Sequence, residues 1–505
     1  MPSQIEILES AIKAAIGRAI DAGALGGQAP GAIKLERPKD RDHGDYATSI
    51  ALQLAKPAGK NPREVAEIIA AQLSGVEGIS KVDIAGPGFI NITLDRASQA
   101  ALVETILKAT KDYGKGSALA GVKINLEFIS ANPTGPLHLG HTRWAAVGDA
   151  LGRVLTAAGA SVTREFYIND RGNQMDYFGQ SVEAVALGNP VPENGYQGDY
   201  IKDLATEVVA QNAGIKDLPE AERVIAFREA AYQLQLKDQQ RVLDTFNTHF
   251  DVWFSERSLH DEGAVEHGME KLRAQGHVFE LDGAVWLRTT DFGDDKDRVM
   301  TKSDGSLTYF ASDTAYYINK RERGFDRNII MLGADHHGYV ARMMAMCAAF
   351  GDEPGVNLEI MIGQMVNLVR DGQPMRMSKR AGTIVTLEDL VEAVGVDAGR
   401  YALVRSSSDS QLDIDLDLLG KKTNDNPVFY VQYAHARTCA VGRNAEASGV
   451  RREDGFAPEL LDHEAESQLL GVLQEFPRIV AQAAELREPH RVARYIEEVA
   501  GYYHR

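Results

Sequence analysis

Apolar residues recur every three or four positions in "IEILESAIKAAIGRAI", which predicts a helix stopping at Gly23, and again in "NPREVAEIIAAQL", where Pro62 occupies the first turn. "KVDIAGPGFINITL" reads instead as two strands around a Gly-Pro-Gly turn. Residues 1–110 are therefore expected to form a small α+β domain, with a link, "TKDYGKGSALAG", at 110–121.

From Lys123 the rhythm changes to strand, glycine-bearing loop, helix. "VKINLEFIS" leads into "ANPTGPLHLGHTRWAAVGDALGRVL", "SVTREFYIND" follows, and "RNIIMLGADHHGYVARMMAMCAAFG" repeats the pattern downstream. Such alternation predicts an α/β domain over 121–425 with a parallel sheet and crossover helices, whose ligands bind at the carboxyl ends of the strands. A mainly helical insertion is expected at about 188–285, marked by "LPEAERVIAFREAAYQLQLKDQQRVLDTF". Beyond it, long amphipathic segments at 427–446, 458–483 and 490–505 predict an all-α bundle for 426–505. The final "YYHR" lies inside a helical pattern without a stop signal, so the bundle reads as incomplete at its C-terminal end.

Composition narrows the class. A chain of 505 residues is too long for one ordinary core and fits three domains or so. A net charge of −18 argues against a general nucleic-acid coat, while leaving room for local basic surfaces on an acidic body. The two cysteines, Cys347 and Cys439, offer neither a disulfide framework nor a thiolate zinc site. No apolar run of about 20 residues occurs, and the N-terminus is amphipathic and acidic rather than secretory, which reads as a cytosolic chain.

Two stretches carry candidate chemistry. His138 and His141 stand at a helix start after a buried strand, where backbone amides present positive partial charge suited to phosphate. The plainer reading is a histidine pair that caps the helix or braces a contact; a metal reading lacks nearby carboxylate or thiolate partners. Downstream, "RMSKRAGTIVTLEDL" puts a Ser-Lys pair beside arginine and before glycine, a cationic loop able to neutralise a polyphosphate, or a solvated basic turn.

Taken together, HLGH at 138–141 and RMSKR at 376–380 resemble the HIGH and KMSKS signatures of class I aminoacyl-tRNA synthetases. The blocks "EFISANPTGPLHLGH", "REFYINDRGNQM", "TYFASDTAYY", "LGADHHGYVAR", "MSKRAGT" and "NPVFYVQYAHAR" resemble arginyl-tRNA synthetases in order and spacing, as does "GDYATSIALQLAK" near the N-terminus. The resemblance implies a Rossmann-like (HUP-type) catalytic domain between an N-terminal tRNA-elbow domain and a helical anticodon-binding domain. The implied reaction joins arginine and ATP into arginyl adenylate plus pyrophosphate, then moves the arginyl group to the terminal ribose of its tRNA. The implied partners are arginine, ATP with Mg²⁺ and the tRNA for arginine, with no prosthetic group, no resident metal and no membrane, and the protein acting as a cytoplasmic monomer.

By the same resemblance, His138 and His141 contact phosphates, and Lys379 with Ser378 stabilises the leaving pyrophosphate. ATP would also meet Pro133, Thr134, Gly135, Leu139, Gly140, Gly333, Asp335, His336 and Met377. Arginine would meet Glu127, Ser130, Asn132, His138, Tyr309 and Asp313, since a guanidinium calls for planar carboxylates. The plainer reading makes Glu127 a strand-end acceptor and Asp313 a partner of Lys320 or Arg321. Arg376 departs from the first lysine of KMSKS, replacing an ammonium by a guanidinium fork. A metal-dependent phosphoesterase built on the DHH of "GADHHG" is the rival, although further aspartate motifs on neighbouring strands are not evident. On the "VQYAHARTCAVGR" helix, Gln432, Tyr433, His435, Arg437 and Arg443 offer stacking and pairing groups for anticodon bases, or form an ordinary bundle helix with Tyr433 in its core.

Overall fold

The computed structural model describes residues 4–38, 43–375, 385–455, 457, 460–461 and 463–504. The chain forms two compact units, one of Gly116–Tyr430 with Val480–Arg494, the other of Met1–Lys115 with Val431–Ile479 and Tyr495–Arg505.

The larger unit is built on five parallel strands: β1 (Lys123–Glu127), β2 (Ser161–Ile168), β3 (Val252–Ser255), β4 (Arg327–Gly333) and β5 (Leu358–Gly363), ordered β5-β4-β1-β2-β3. The chain winds outward from β1 first to one edge and then to the other, so the strand order reverses between β1 and β4. That reversal opens a crevice at their carboxyl ends, the usual ligand position in such sheets. Register aligns Glu127 with Glu165 on β2 and Ile330 on β4. Helix α1 (Leu139–Ala157) follows β1 and buries Leu139, Trp144, Ala145, Leu151 and Leu155 against the sheet. It lies close because Gly148 lacks a side chain: a Cβ there would stand 2.4 Å from the Phe128 ring.

The 188–285 stretch is not one helical block. Helix α2 (Glu220–Thr245) and a helix at Asp199–Gln211 fill its first part, and the chain then returns to the sheet as β3. A three-stranded antiparallel sheet of Val278–Leu281, Ala284–Leu287 and Arg298–Thr301 precedes helix α3 (Tyr309–Glu322). β3 escaped the sequence because four residues, "VWFS", are too short to establish a period. A further small sheet joins Val366–Arg370 in parallel with Leu412–Asp415 and antiparallel with Gln373–Pro374.

In the smaller unit, helices Gln4–Asp21 and Pro62–Leu73 pack on a four-stranded antiparallel sheet. Asn61 caps the second helix by accepting from the Glu64 amide at 2.8 Å. Residues of the C-terminal helices join this unit: the Tyr46 hydroxyl donates to Glu475 at 3.3 Å, and Tyr113 faces Phe476 with ring centroids 6.1 Å apart. The segment expected to be a continuous helix over 458–483 is broken into Glu464–Gln474 and Phe476–Glu485, because Pro477 has no amide to continue the first helix.

Candidate active site

The crevice between the ends of β1 and β4 is entered by a backbone under strain. Ile129 and Ser130 both adopt left-handed φ angles, 69° and 45°, unfavourable for non-glycine and especially β-branched residues. The turn folds Ser130 back, so its hydroxyl donates to Glu127 Oε1 at 3.0 Å and accepts from the Tyr167 amide at 3.2 Å. The loop beyond is held by the helices of the insertion. Buried Gln239 on α2 donates to the carbonyls of Asn132 and Gly135, and the Tyr200 hydroxyl donates to that of Thr134.

The histidine pair then caps α1. The Gly140 amide donates to His138 Nδ1 at 3.1 Å, and the His138 amide donates to His141 Nδ1 at 3.3 Å. An accepting Nδ1 carries no proton, so each ring presents its N–H at Nε2, the donor form that suits a phosphate oxygen. The rings lie 3.9 Å apart, and Gly140 makes room for them: a Cβ there would approach His138 Cε1 to 2.9 Å. The main chain pairs with a distant segment, the Leu139 amide donating to the Val385 carbonyl and the Leu387 amide to that of Leu137, each at 2.9 Å. Arg376, Met377, Ser378 and Lys379 lie outside the described residues.

After β4, Gly333 leads into a short turn of 3₁₀ helix, Ala334–Tyr339. Asp335 and His336 are exposed there, with 3.5 Å between His336 Nε2 and Asp335 Oδ2. Gly333 leaves space that a Cβ would lose to Asp335 Oδ1, 2.6 Å away. Among the described residues no cluster of three His, Cys, Asp or Glu is arranged to hold a metal ion, so the phosphoesterase reading has no metal cage to rest on.

The carboxylate-rich side of the crevice is electrostatically unusual. Buried Glu127 is ion-paired with Lys320, whose ammonium lies 4.1 Å from the Tyr316 ring centroid. Its neighbour Glu165 takes both arms of the Arg323 guanidinium at 2.7 and 2.8 Å and accepts from the Tyr316 hydroxyl. Burial opposes that charge, but Arg323, Lys320 and Tyr316 hold Glu165 below the usual carboxylate range. Asp313 differs. Arg321 is committed to Asp352 and Lys320 to Glu127, so neither is the partner that the plainer sequence reading gave it; Asp313 instead accepts from the Tyr339 hydroxyl. Burial, reinforced by Glu256 and Glu127, raises its pKa to about 7 despite Tyr339 and Arg342. Glu256, immediately after β3, is likewise raised by burial, although Tyr167 and Ser312 donate to it.

The structure thus joins Glu127 to Ser130 by a hydrogen bond and brings Asp313 within electrostatic reach of Glu127. Asn132 donates to Gln174 at 2.7 Å, and Tyr309 is 74% exposed, one turn before Asp313. Sequence reasoning missed Glu256, Tyr167, Tyr339 and Gln239. Glu256 had one usable signal, an acid directly after a strand, but the strand itself was hidden. In the smaller unit, Gln432, His435 and Arg437 are exposed on Pro427–Ala447, and Tyr433 stacks on His504 at 5.4 Å and is 46% exposed rather than in a core.

A parallel sheet with this strand order, a histidine-capped helix after its first strand and a glycine-bearing turn after its fourth define the catalytic domain of a class I tRNA synthetase. The family model described as "tRNA synthetases class I (R), catalytic domain" matches residues 102–409, flanked by "Arginyl tRNA synthetase N terminal domain" at 6–94 and "DALR anticodon binding domain" at 431–505. The chain belongs to the arginyl-tRNA synthetase family. It is 60% identical over 501 residues to an arginine-tRNA ligase of Kineococcus radiotolerans, covering 99% of this chain and 90% of that one. An arginine-tRNA ligase of Clavibacter sepedonicus is 62% identical over 477 residues, 94% and 86% of the two chains. The Thermus thermophilus arginyl-tRNA synthetase shares the fold, with a TM-score of 0.75 over 99% of this chain and 90% of that one at 21% identity.

Proposed function

We propose that this chain activates arginine with ATP and transfers the arginyl group to its tRNA, using the crevice between β1 and β4. The observation that carries the reading is the pair of carboxylates, Asp313 and Glu256, both pushed upward by burial while the nearby Lys320 and Arg321 are engaged elsewhere. A guanidinium relieves both at once, because its planar donors can serve two carboxylates. Glu127 and Ser130 then lie toward the substrate ammonium, with Asn132 and Tyr309 orienting the molecule.

The phosphates of ATP fall to His138 and His141, whose Nε2 protons offer donors at the positive end of α1, and to Lys379 with Ser378 on the segment that leads to Val385. Pro133, Thr134, Gly135, Leu139, Gly140 and Met377 line the same nucleotide, with Gly333, Asp335 and His336 on its ribose side. Mg²⁺ travels on the phosphates of ATP in this reading. Attack of the arginine carboxylate on the α-phosphate is chiefly a matter of positioning and charge stabilisation. Gln432, Tyr433, His435 and Arg437 are the groups offered to the anticodon. Cytoplasmic action fits these partners, and a monomer is inferred because one chain supplies all the described site groups.

The test is arginine-dependent exchange of pyrophosphate into ATP, with and without the tRNA, beside citrulline and lysine. Exchange with arginine alone among the three is expected, since citrulline keeps the shape and loses the charge. Equal exchange with citrulline would end the carboxylate reading.

A further inference from the structure

Arg143 stands on the second turn of α1, two residues beyond His141, and is 2% exposed. Among the described residues its guanidinium forms no ion pair; burial lowers its pKa, and the Asp409 carboxylate offsets that only in part. One terminal nitrogen donates to the carbonyls of Gln364 at 2.9 Å and Ser410 at 2.7 Å, and the other to that of Ser407 at 2.6 Å. The acceptors belong to two passes of the chain. Gln364 is the residue after β5, and Ser407–Ser410 is the turn that delivers the chain to Leu412–Asp415. The two passes also bond each other, the Gln364 amide donating to the Ser408 carbonyl at 2.9 Å. Beside them Trp144 fills the place of a missing side chain, for a Cβ on Gly363 would stand 2.4 Å from its ring.

A buried cation hydrogen-bonded to carbonyls is an expensive way to gain stability, because the Asp409 carboxylate repays only part of the desolvation of the charge. What the guanidinium supplies is direction: a planar fork fixes the angle between the groups it binds, as an ammonium cannot. The sheet so fixed contains Val366–Arg370 and Gln373–Pro374, which precede residue 376, while Val385–Leu387, which follow residue 384, pair with Leu137 and Leu139. Both described flanks of the segment containing Lys379 therefore refer their position to the start of α1.

We propose that Arg143 is a positioning residue for adenylate formation, acting at the joint of Gln364, Ser407 and Ser410 to hold the small sheet in a fixed orientation to the histidine-capped end of α1. The inference rests on the reading of the site given above, and an active wild-type exchange assay secures that reading independently. Arg143→Lys keeps charge and bulk and loses the fork; Gly363→Ala leaves Arg143 intact and pushes on Trp144 at the same joint. Asp149→Asn, which removes a buried acid of α1 bonded to Arg153 and Arg400, serves as a comparison for lost stability alone.

Each variant is assayed by arginine-dependent pyrophosphate exchange with tRNA present, well below its Tm. Arg143→Lys and Gly363→Ala are each expected to lower kcat about a hundredfold, with the KM for arginine changed less than about threefold. Asp149→Asn should lower Tm and leave kcat in place. The proposal is overturned if both joint variants keep wild-type kcat, or if Asp149→Asn loses as much kcat as they do at an equal loss of Tm. Should Arg143→Lys fail to fold, Gly363→Ala decides alone: wild-type kcat in that variant overturns the proposal, and the hundredfold loss upholds it.

Discussion

On the side of the sheet's reversal proposed for the nucleotide, the fold satisfies itself: the amides of His138 and Gly140 already donate to imidazole nitrogens. On the side proposed for the amino acid it does not. Asp313 and Glu256 are crowded into a poorly solvated corner, where Tyr339 and Arg342 moderate the first and Tyr167, Arg171 and Ser312 the second without overcoming burial. In the proposed reading the first arrangement is preorganised to receive a phosphate without moving. The second, as proposed, holds an unfavourable interaction that a cationic substrate would remove, which would make selectivity for a cation part of binding rather than an addition to it.

The most severe way to break this contrast is Asp313→Asn. Removing one partner of a buried guanidinium-carboxylate pair costs about 3–5 kcal/mol, so kcat/KM for arginine should fall about a thousandfold. The free protein should not suffer: its Tm at pH 8 is expected to hold or rise, because a buried charge is gone. A drop in Tm at pH 8 would show that Asp313 is a structural anchor. On the other side, His141→Ala removes one donor and one cap. The loss expected is about 10²- to 10³-fold in kcat, with the KM for arginine unchanged; a rise in that KM would merge the two sides into one.

pH sharpens the contrast further. Asp313 has a folded pKa near 7, above its ordinary value, so its protonation favours the folded free protein at low pH. That contribution is fully present below about pH 4 and is lost as pH rises through about 7. The proposed pairing with arginine needs the ionised form. Affinity for arginine should therefore rise about tenfold per unit below pH 7 and level off above it, with proton release measurable by calorimetry in two buffers. ATP affinity should not share that profile, and a common profile would count against the assignment. The smallest effect is expected from Gln239→Ala, which frees the loop carbonyls of Asn132 and Gly135 from α2. A few-fold loss in kcat with Tm lowered by a few degrees is expected, and an effect on arginine alone would place the loop wholly on the amino-acid side.

Much of this was legible along the chain. Alternating strands and helices gave the parallel sheet, and the two glycine-bearing loops marked its carboxyl edge before their strand order was known. HLGH was readable both as a cap and as a phosphate site, and the capping geometry is what the structure displays. What could not be read depends on pairing across distance. Lys320 lies close to Asp313 in sequence, yet seven residues are two turns of α3, about 10 Å along its axis, and at that distance it bonds Glu127. Nothing in the local sequence marks Arg143, because its three carbonyl partners lie more than two hundred positions along the chain.

The contact of Tyr46 with Glu475 spans 429 positions, and Tyr113 reaches as far as Phe476. During synthesis at about 5–20 residues per second, the N-terminal segment waits tens of seconds before those partners leave the ribosome. Its own apolar cluster, from Ile5 to Leu94, lets it collapse meanwhile. The surface around Tyr46 and Tyr113 stays uncovered through that interval, and it is there that a holding chaperone or a premature neighbour on the same message would find something to grip.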